Sequence, residues 1–434
     1  MNTNPQTGVS RRAFLQTSAA GGAALATLAI ARSAHAAGKE EIKIGMIGCG
    51  GRCRAAAGES LKAGPFVKLA AMCDIFPDRA QNTHTFLKGN FPEQVVADEE
   101  HRFVGFDGYQ KVIDCSDIVL IACASKFHPM YAEAGIKAGK HVFVEKPHGI
   151  DPVGCRRMQA AAEGAKQKGL SLLSGLHSRF DAKYRACVQQ IHDGAIGRVV
   201  AIQAMFLRGP YGIVPRNPKY TETQYQFSNW YHFSWLSGDD VTQSLVHNID
   251  RVSWILKEET PKTCFGLAGR SSSFGEQYGD MFDHDTAVYE YASGPRVYAL
   301  CRTQNGCYNN DTDVVMGTKG TCHLGPGRIV GENPWHFQGP RNNPYEDEQK
   351  ALIESVRDGK PINSGSYMAN STLAAVLGQL ACYSGRQLTW DAVANMEFQL
   401  GPPPEESNFD TPPPKKPDAA GEYPLPKPGL TKLG

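Results

Sequence analysis

The sequence predicts an α/β fold with two unlike halves, and three observations carry that prediction. In the first half, apolar runs of strand length alternate with helix-period segments, the pattern of a parallel sheet covered on both faces. A glycine-rich turn closes the first of those runs. In the second half, strand patterns with polar alternation are followed by two long helices and a proline-rich end.

The first strand is EIKIGMIG, the second VKLAAMCD, a later one DIVLIACAS and another KHVFVEKP. Helical stretches lie between them: RAAAGESLKA, DRAQNTHTFLK, DGYQKVIDC and HPMYAEAGIKAG. At the end of the first strand stand Gly48, Cys49, Gly50, Gly51, Arg52 and Cys53. The first glycine permits a tight turn, and the second lets the backbone approach a pyrophosphate held at the helix N-terminus. Cys53 occupies the position where the dinucleotide fingerprint prefers Gly or Ala, and it is small enough for close helix–strand packing. Asp74 ends the second strand at the distance where an acid hydrogen-bonds a ribose 2′-hydroxyl. An acid there repels a 2′-phosphate, so the expected cofactor is NAD, with NADP disfavoured. The predicted cofactor contacts are Gly48, Gly50, Gly51, Arg52 and Asp74.

Residues 10–16, SRRAFLQ, precede an apolar run from Phe14 to Ile30 and the small-x-small pattern Ala34-His35-Ala36. This reads as a twin-arginine export signal, removed near Ala37 and directing the folded chain to the periplasm. With no cysteine at the cleavage point, no lipid anchor is expected, and no later segment is long and apolar enough to span a bilayer. The expected layout is a signal at 1–36, a dinucleotide-binding domain at 37–175, a substrate and oligomerisation domain at 176–400 and a proline-rich tail at 401–434. From Gly401 the composition cannot build a core, and the tail should be extended or draped over a neighbour.

The 45 basic and 44 acidic residues are spread without blocks, so charge offers no case for nucleic acid or an anionic membrane surface. Several of the 12 cysteines fall inside apolar runs and read as buried free thiols. No His/Cys cluster has metal-ligand spacing, and no metal is expected.

KAGKHVFVEKP, at 137–147, with the preceding DIVLIACASKFHPMYAEAGI, resembles the Gfo/Idh/MocA family of oxidoreductases, which includes glucose–fructose oxidoreductases and inositol dehydrogenases. The resemblance continues through GLHSRF, DGAIGRVVAI, LVHNIDRVSWIL and GTKGT to about residue 395. It implies an N-terminal Rossmann domain and a C-terminal α/β domain with a large open, mainly antiparallel sheet. That sheet often carries dimer or tetramer contacts in the family, so a homodimer or homotetramer is implied. Glu145 and Lys146 then belong to the cofactor and catalytic region, with the Lys146 ammonium placed to assist removal of a hydroxyl proton as hydride leaves the same carbon. Inositol dehydrogenase-like members carry Asp-x-x-x-His on the helix SGDDVTQSLVHNIDRVSWIL. His247 matches, which implies a catalytic role, but Gln243 stands where the Asp would be, and an amide cannot ionise. The same helix is expected to present Gln243, His247, Asp250, Arg251 and Trp254 on one face.

Residues 206–235 hold nine aromatic rings, far above the chain's 9% average, in a long connection with turn-forming prolines. Rings there can cover the apolar faces of a carbohydrate while polar neighbours take its hydroxyls. The candidate substrate residues are Arg179, Tyr184, Trp230, Tyr231, His232, Asp240, Gln243 and Asp250. Three functions follow as expectations. The first is oxidation at a hydroxyl of a sugar, polyol or glycoside with tightly bound NAD. The second is redox-neutral glycoside hydrolysis by oxidation, elimination, hydration and reduction. The third is sugar binding without catalysis.

Overall fold

The computed structural model describes residues 41–433; the expected export signal lies outside them. Strands β1 (Ile42–Ile47), β2 (Val67–Asp74), β3 (Arg102–Val104), β4 (Ile118–Ile121), β5 (His141–Val144) and β6 (Leu172–Ser174) form one parallel sheet. Its order is β3-β2-β1-β4-β5-β6. The chain leaves β1 toward β2 on one side and later returns to pair β4 on the other. That reversal opens a crevice beyond the C-terminal ends of β1 and β4. β4 and β5 are buried at every position, as strands covered by helices on both faces must be.

The second sheet has nine strands: β7 (Val199–Arg208), β8 (Thr263–Gly269), β9 (His284–Glu290), β10 (Arg296–Thr303), β11 (Asn310–Gly317), β12 (Gly320–His323), β13 (Arg328–Gly331), β14 (Trp335–His336) and β15 (Leu388–Thr389). Their order is β14-β13-β12-β11-β7-β10-β9-β8-β15, antiparallel except where β7 and β10 run parallel. β10 alternates exposed or half-buried with buried residues, because helices cover one face of this sheet.

Helix Gly365–Ser384 is apolar on all sides and buried along nearly its whole length, since it packs on both helix Pro152–Gln167 and strands β8 and β9. Helix Pro344–Arg357 returns to the first sheet. Its Leu352, Ile353 and Val356 join the cluster of Ile42, Ile44 and Leu61, and Ser60 Oγ donates to Gln349 Oε1 at 2.9 Å. The second half of the chain therefore completes the cover of the first sheet.

Two elements differ from the sequence reading. The helix expected to run unbroken through SGDDVTQSLVHNIDRVSWIL opens with a π turn at Val241–Leu245 and becomes α-helical only from Val246 to Ile255. The tail after Gly401 is extended but lies on its own chain. Tyr423 is buried against Phe233 at 5.1 Å, Lys415 Nζ pairs with the buried Asp280 at 2.7 Å, and Phe409 packs at 5.4 Å from Phe76. Three side chains supply a footing that proline-rich composition does not disclose. All twelve cysteines are described, carry free thiols, and only Cys307 is exposed.

Candidate active site

A cavity of about 410 Å³ occupies the crevice and runs from Gly48 and Asp74 to Tyr231 and His247. At one end, Gly48 adopts φ +92°, and a Cβ there would lie 2.6 Å from the Ala122 carbonyl oxygen, so only glycine serves. Gly50 and Gly51 have no atom within 4 Å of where a Cβ would sit. Gly50 is also the N-cap of helix Gly51–Leu61 and supplies no side-chain cap, which leaves the first-turn N–H groups for a ligand. Cys53 is fully buried between that helix and β1.

Asp74 is fixed by its neighbours: Cys49 N–H donates to Oδ2 at 2.7 Å and Phe76 N–H to Oδ1 at 2.9 Å. Burial raises its pKa, opposed by those two hydrogen bonds. The open glycines, the uncapped helix and the strand-end acid fit a dinucleotide with its pyrophosphate on the helix and its ribose on Asp74. Arg79, which the sequence reading did not single out, also lines this end; it lies over the Phe76 ring and donates to Ser228 O at 2.8 Å.

Arg52 reaches the cavity wall but is held by three carboxylates: Glu145, Glu59 at 3.1 Å and Glu348 at 3.1 Å. Burial works against its charge, and Glu145 and Glu59 outweigh that and hold its pKa above the ordinary value. Glu145 in turn accepts the Lys146 N–H at 3.1 Å, and a Cβ on Gly175 would strike its carboxyl group at 2.7 Å. Arg52 and Glu145 thus brace the lysine as well as bordering the cofactor end.

Lys146 Nζ donates to the backbone carbonyl of Gln243 at 2.6 Å. Burial lowers its pKa to about 8, with Glu145 opposing. The π turn offers that carbonyl: widening the helix by one residue frees backbone groups that an α-helix would have paired. The Gln243 side chain points elsewhere, its Oε1 accepting from Ser125 Oγ at 2.8 Å. It braces the two domains and takes no part as an acid. His247 lies in the same cavity, with its pKa pushed down by burial and by Lys146, and its Nδ1 buried without a partner. Both effects favour the uncharged imidazole over the imidazolium. His177, which the sequence reading passed over inside GLHSRF, stands edge-on to it at 5.0 Å and stacks on Tyr345 at 4.2 Å. Tyr345 lines the cavity from the start of a helix about 100 residues farther along, where no sequence signal marks it.

The opposite wall is a stack of three rings. Trp230 lies 3.8 Å from Tyr231, and Tyr231 lies 4.2 Å from Tyr211, all lining the cavity. Arg208 caps the stack, 3.6 Å above the Tyr211 ring, and pairs with Asp240 at 2.8 Å.

Five expected substrate residues, Arg179, Tyr184, His232, Asp240 and Asp250, do not line this cavity. Asp250 is fully buried and accepts from Arg179 and, at 2.9 Å, from Ser371. It stands one turn beyond His247 in the α-helical part, Val246–Ile255, and forms a buried structural ion pair with Arg179. Tyr184 is covered by the Arg251 guanidinium at 5.1 Å and packs against the core. His232 faces a separate small hollow beside Arg270 and Tyr278. The fifth, Asp240, sits behind Arg208 and Ser244, one shell back from the cavity.

The oxidoreductase-family model for an NAD-binding Rossmann fold matches residues 42–172, and the model for its C-terminal α/β domain matches 188–365. The chain is 24% identical to a myo-inositol 2-dehydrogenase of Thermotoga maritima over 74% of its own length and 90% of the relative's. It is 30% identical to an inositol 2-dehydrogenase 3 of Saccharopolyspora erythraea over 48% of its length and 54% of that protein's. Among solved structures, scyllo-inositol dehydrogenase of Lactobacillus casei with NAD(H) and scyllo-inositol superposes with a TM-score of 0.62 at 18% identity, covering 81% of this chain and 99% of the other. GenD2 from gentamicin A biosynthesis, in complex with NAD, gives 0.62 at 19% identity, covering 81% and 97%. With both domain models matched in order around one NAD-shaped crevice, the chain belongs to the Gfo/Idh/MocA family of NAD-dependent oxidoreductases.

Proposed function

We propose that this protein oxidises a secondary hydroxyl of a sugar, polyol or glycoside, using a tightly held NAD. The observation that carries the reading is the placement of Lys146 and His247 in one cavity with a wall of three stacked rings. NAD, when bound, accepts the hydride. Lys146 meets the hydroxyl oxygen and stabilises the charge that develops as its proton leaves. His247 lies in the same cavity as Lys146, and Trp230 and Tyr231 lie along the apolar face of the ring. The inositol named in the relatives and in the L. casei complex supports a cyclic polyol or sugar as the substrate class.

Redox-neutral glycoside hydrolysis is the second reading. It is favoured by Gln243 in place of the relay acid and by two separate proton-accepting groups, which an oxidation–elimination cycle needs. It would also suit a periplasmic enzyme, sent out folded by the twin-arginine route, that cannot exchange spent cofactor. Mass spectrometry of nucleotides released by acid, followed by turnover assays on polyols and glycosides, tests both. Stoichiometric NAD with ketone product supports the first, and stoichiometric NAD with net hydrolysis supports the second. A protein free of nucleotide that turns over neither class defeats both and leaves sugar binding without catalysis.

A further inference from the structure

A chain of polar groups leaves the cavity behind the aromatic wall. Tyr211 Oη lies 2.6 Å from Ser244 Oγ, and Ser244 Oγ donates to Oδ1 of the buried Asp240. The proton directions in this chain are fixed by valence. The serine hydroxyl has a single proton, and its bond to Asp240 Oδ1 uses it. Arg208 Nη2 donates to the same serine oxygen at 2.9 Å and so takes one of its two acceptor positions. Tyr211 must then donate to Ser244. The only capacity left on the Tyr211 oxygen is to accept, and Tyr211 lines the cavity. Gln243, the amide where the relay acid is missing, immediately precedes Ser244 in the π turn.

We propose that Tyr211, Ser244 and Asp240 form a proton wire that takes the hydroxyl proton of the substrate out of the cavity, with Tyr211 touching the substrate oxygen. The inference rests on the oxidoreductase reading above. As the carbinol carbon gives its hydride to the nicotinamide, the substrate O–H bond breaks and a new O–H bond forms on Tyr211. The original Tyr211 proton moves to Ser244, and the Ser244 proton moves to Asp240. Tyrosine and serine end as they began. The products are a ketone, a reduced nicotinamide and a neutral Asp240. Concerted transfer spares Tyr211 a phenolate stage, which burial opposes.

The wire acts in a charged setting. Asp240 faces Arg208, the Cys301 thiol (which donates to Oδ2 at 3.0 Å), Asp239 and Asp285, and it acts on Lys146 through space. Tyr211 faces Arg208, Tyr231 and His232.

The test uses the NAD-loaded protein and its Y211F and S244A variants, with myo-inositol, D-glucose and a methyl glucoside as probes. Thermal unfolding and NAD affinity establish that each variant is intact. Expected is a fall in kcat of about 100-fold in both variants with KM nearly unchanged. The wild type should give a curved proton inventory in mixed H2O and D2O, and both variants a linear one. A merely structural role would lower the rate and leave the curvature, and that result overturns the wire. Wild-type kcat in both variants overturns it as well. If Y211F does not fold, S244A, which loses only one hydroxyl, is read alone by the same criteria. If the wild type reduces its cofactor with none of the probes, the oxidoreductase reading fails, and the wire fails with it.

Discussion

Lys146 shows how burial sets chemistry at a single residue. Its Nζ donates to the Gln243 carbonyl, a neutral group, and burial brings its pKa down to about 8. Below that pH it is an ammonium and cannot take a proton; above it, it is an amine that can. As the ammonium that stabilises the developing charge, Lys146 should make kcat/KM for hydroxyl oxidation fall as pH rises through about 8. A pH–rate profile of wild type against K146A checks this: the variant should lose about 10²- to 10⁴-fold and the step at 8, while keeping NAD. Stability runs in the opposite sense. From about pH 8 to the ordinary lysine value of 10.5 the unfolded chain binds the proton and the native one does not, so this group's contribution to stability grows with pH across that window.

At the scale of elements, the π turn decides which residues of one segment meet the substrate. It gives Lys146 the Gln243 carbonyl while the Gln243 side chain goes to Ser125; one turn beyond His247, in the α-helical part, Asp250 goes to Arg179. D250A should leave NAD binding intact and cost about 2 kcal/mol of stability, because Arg179 loses its buried carboxylate partner and keeps only Glu258 at 2.8 Å. Urea unfolding beside cofactor titration separates the two effects. Strand ends were legible in the sequence for a physical reason. Gly48, Asp74 and Lys146 each terminate a buried apolar run, and the residue at that point has few places to go except the crevice. The side of a helix was not legible, because a one-residue widening leaves no mark in apolar periodicity and still turns every later side chain. His247 was readable only because it was matched to a family motif as well as to the helix pattern.

Across the whole molecule, what sequence reading missed is what spans the greatest separation. Glu348 meets Arg52 across 296 residues, and Lys415 meets Asp280 across 135. No local composition reports such pairs. Phe409 packs at 5.0 Å from Phe106 and 5.7 Å from Phe227, two rings that line the cofactor end of the cavity. Deleting residues 401–434 should lower the melting temperature and speed NAD release, measured by differential scanning calorimetry and by chasing bound NAD with an analogue. Unchanged release would mean that the rings hold their places without the tail.

Because the strap follows both sheets along the chain, it is synthesised after them. Phe409, Lys415 and Tyr423 emerge only once the strands and helices they rest on have been made, so the nucleotide crevice has its walls before it has their outer support. A chain stopped short of Phe409 should hold both domains and a loosened grip on its cofactor.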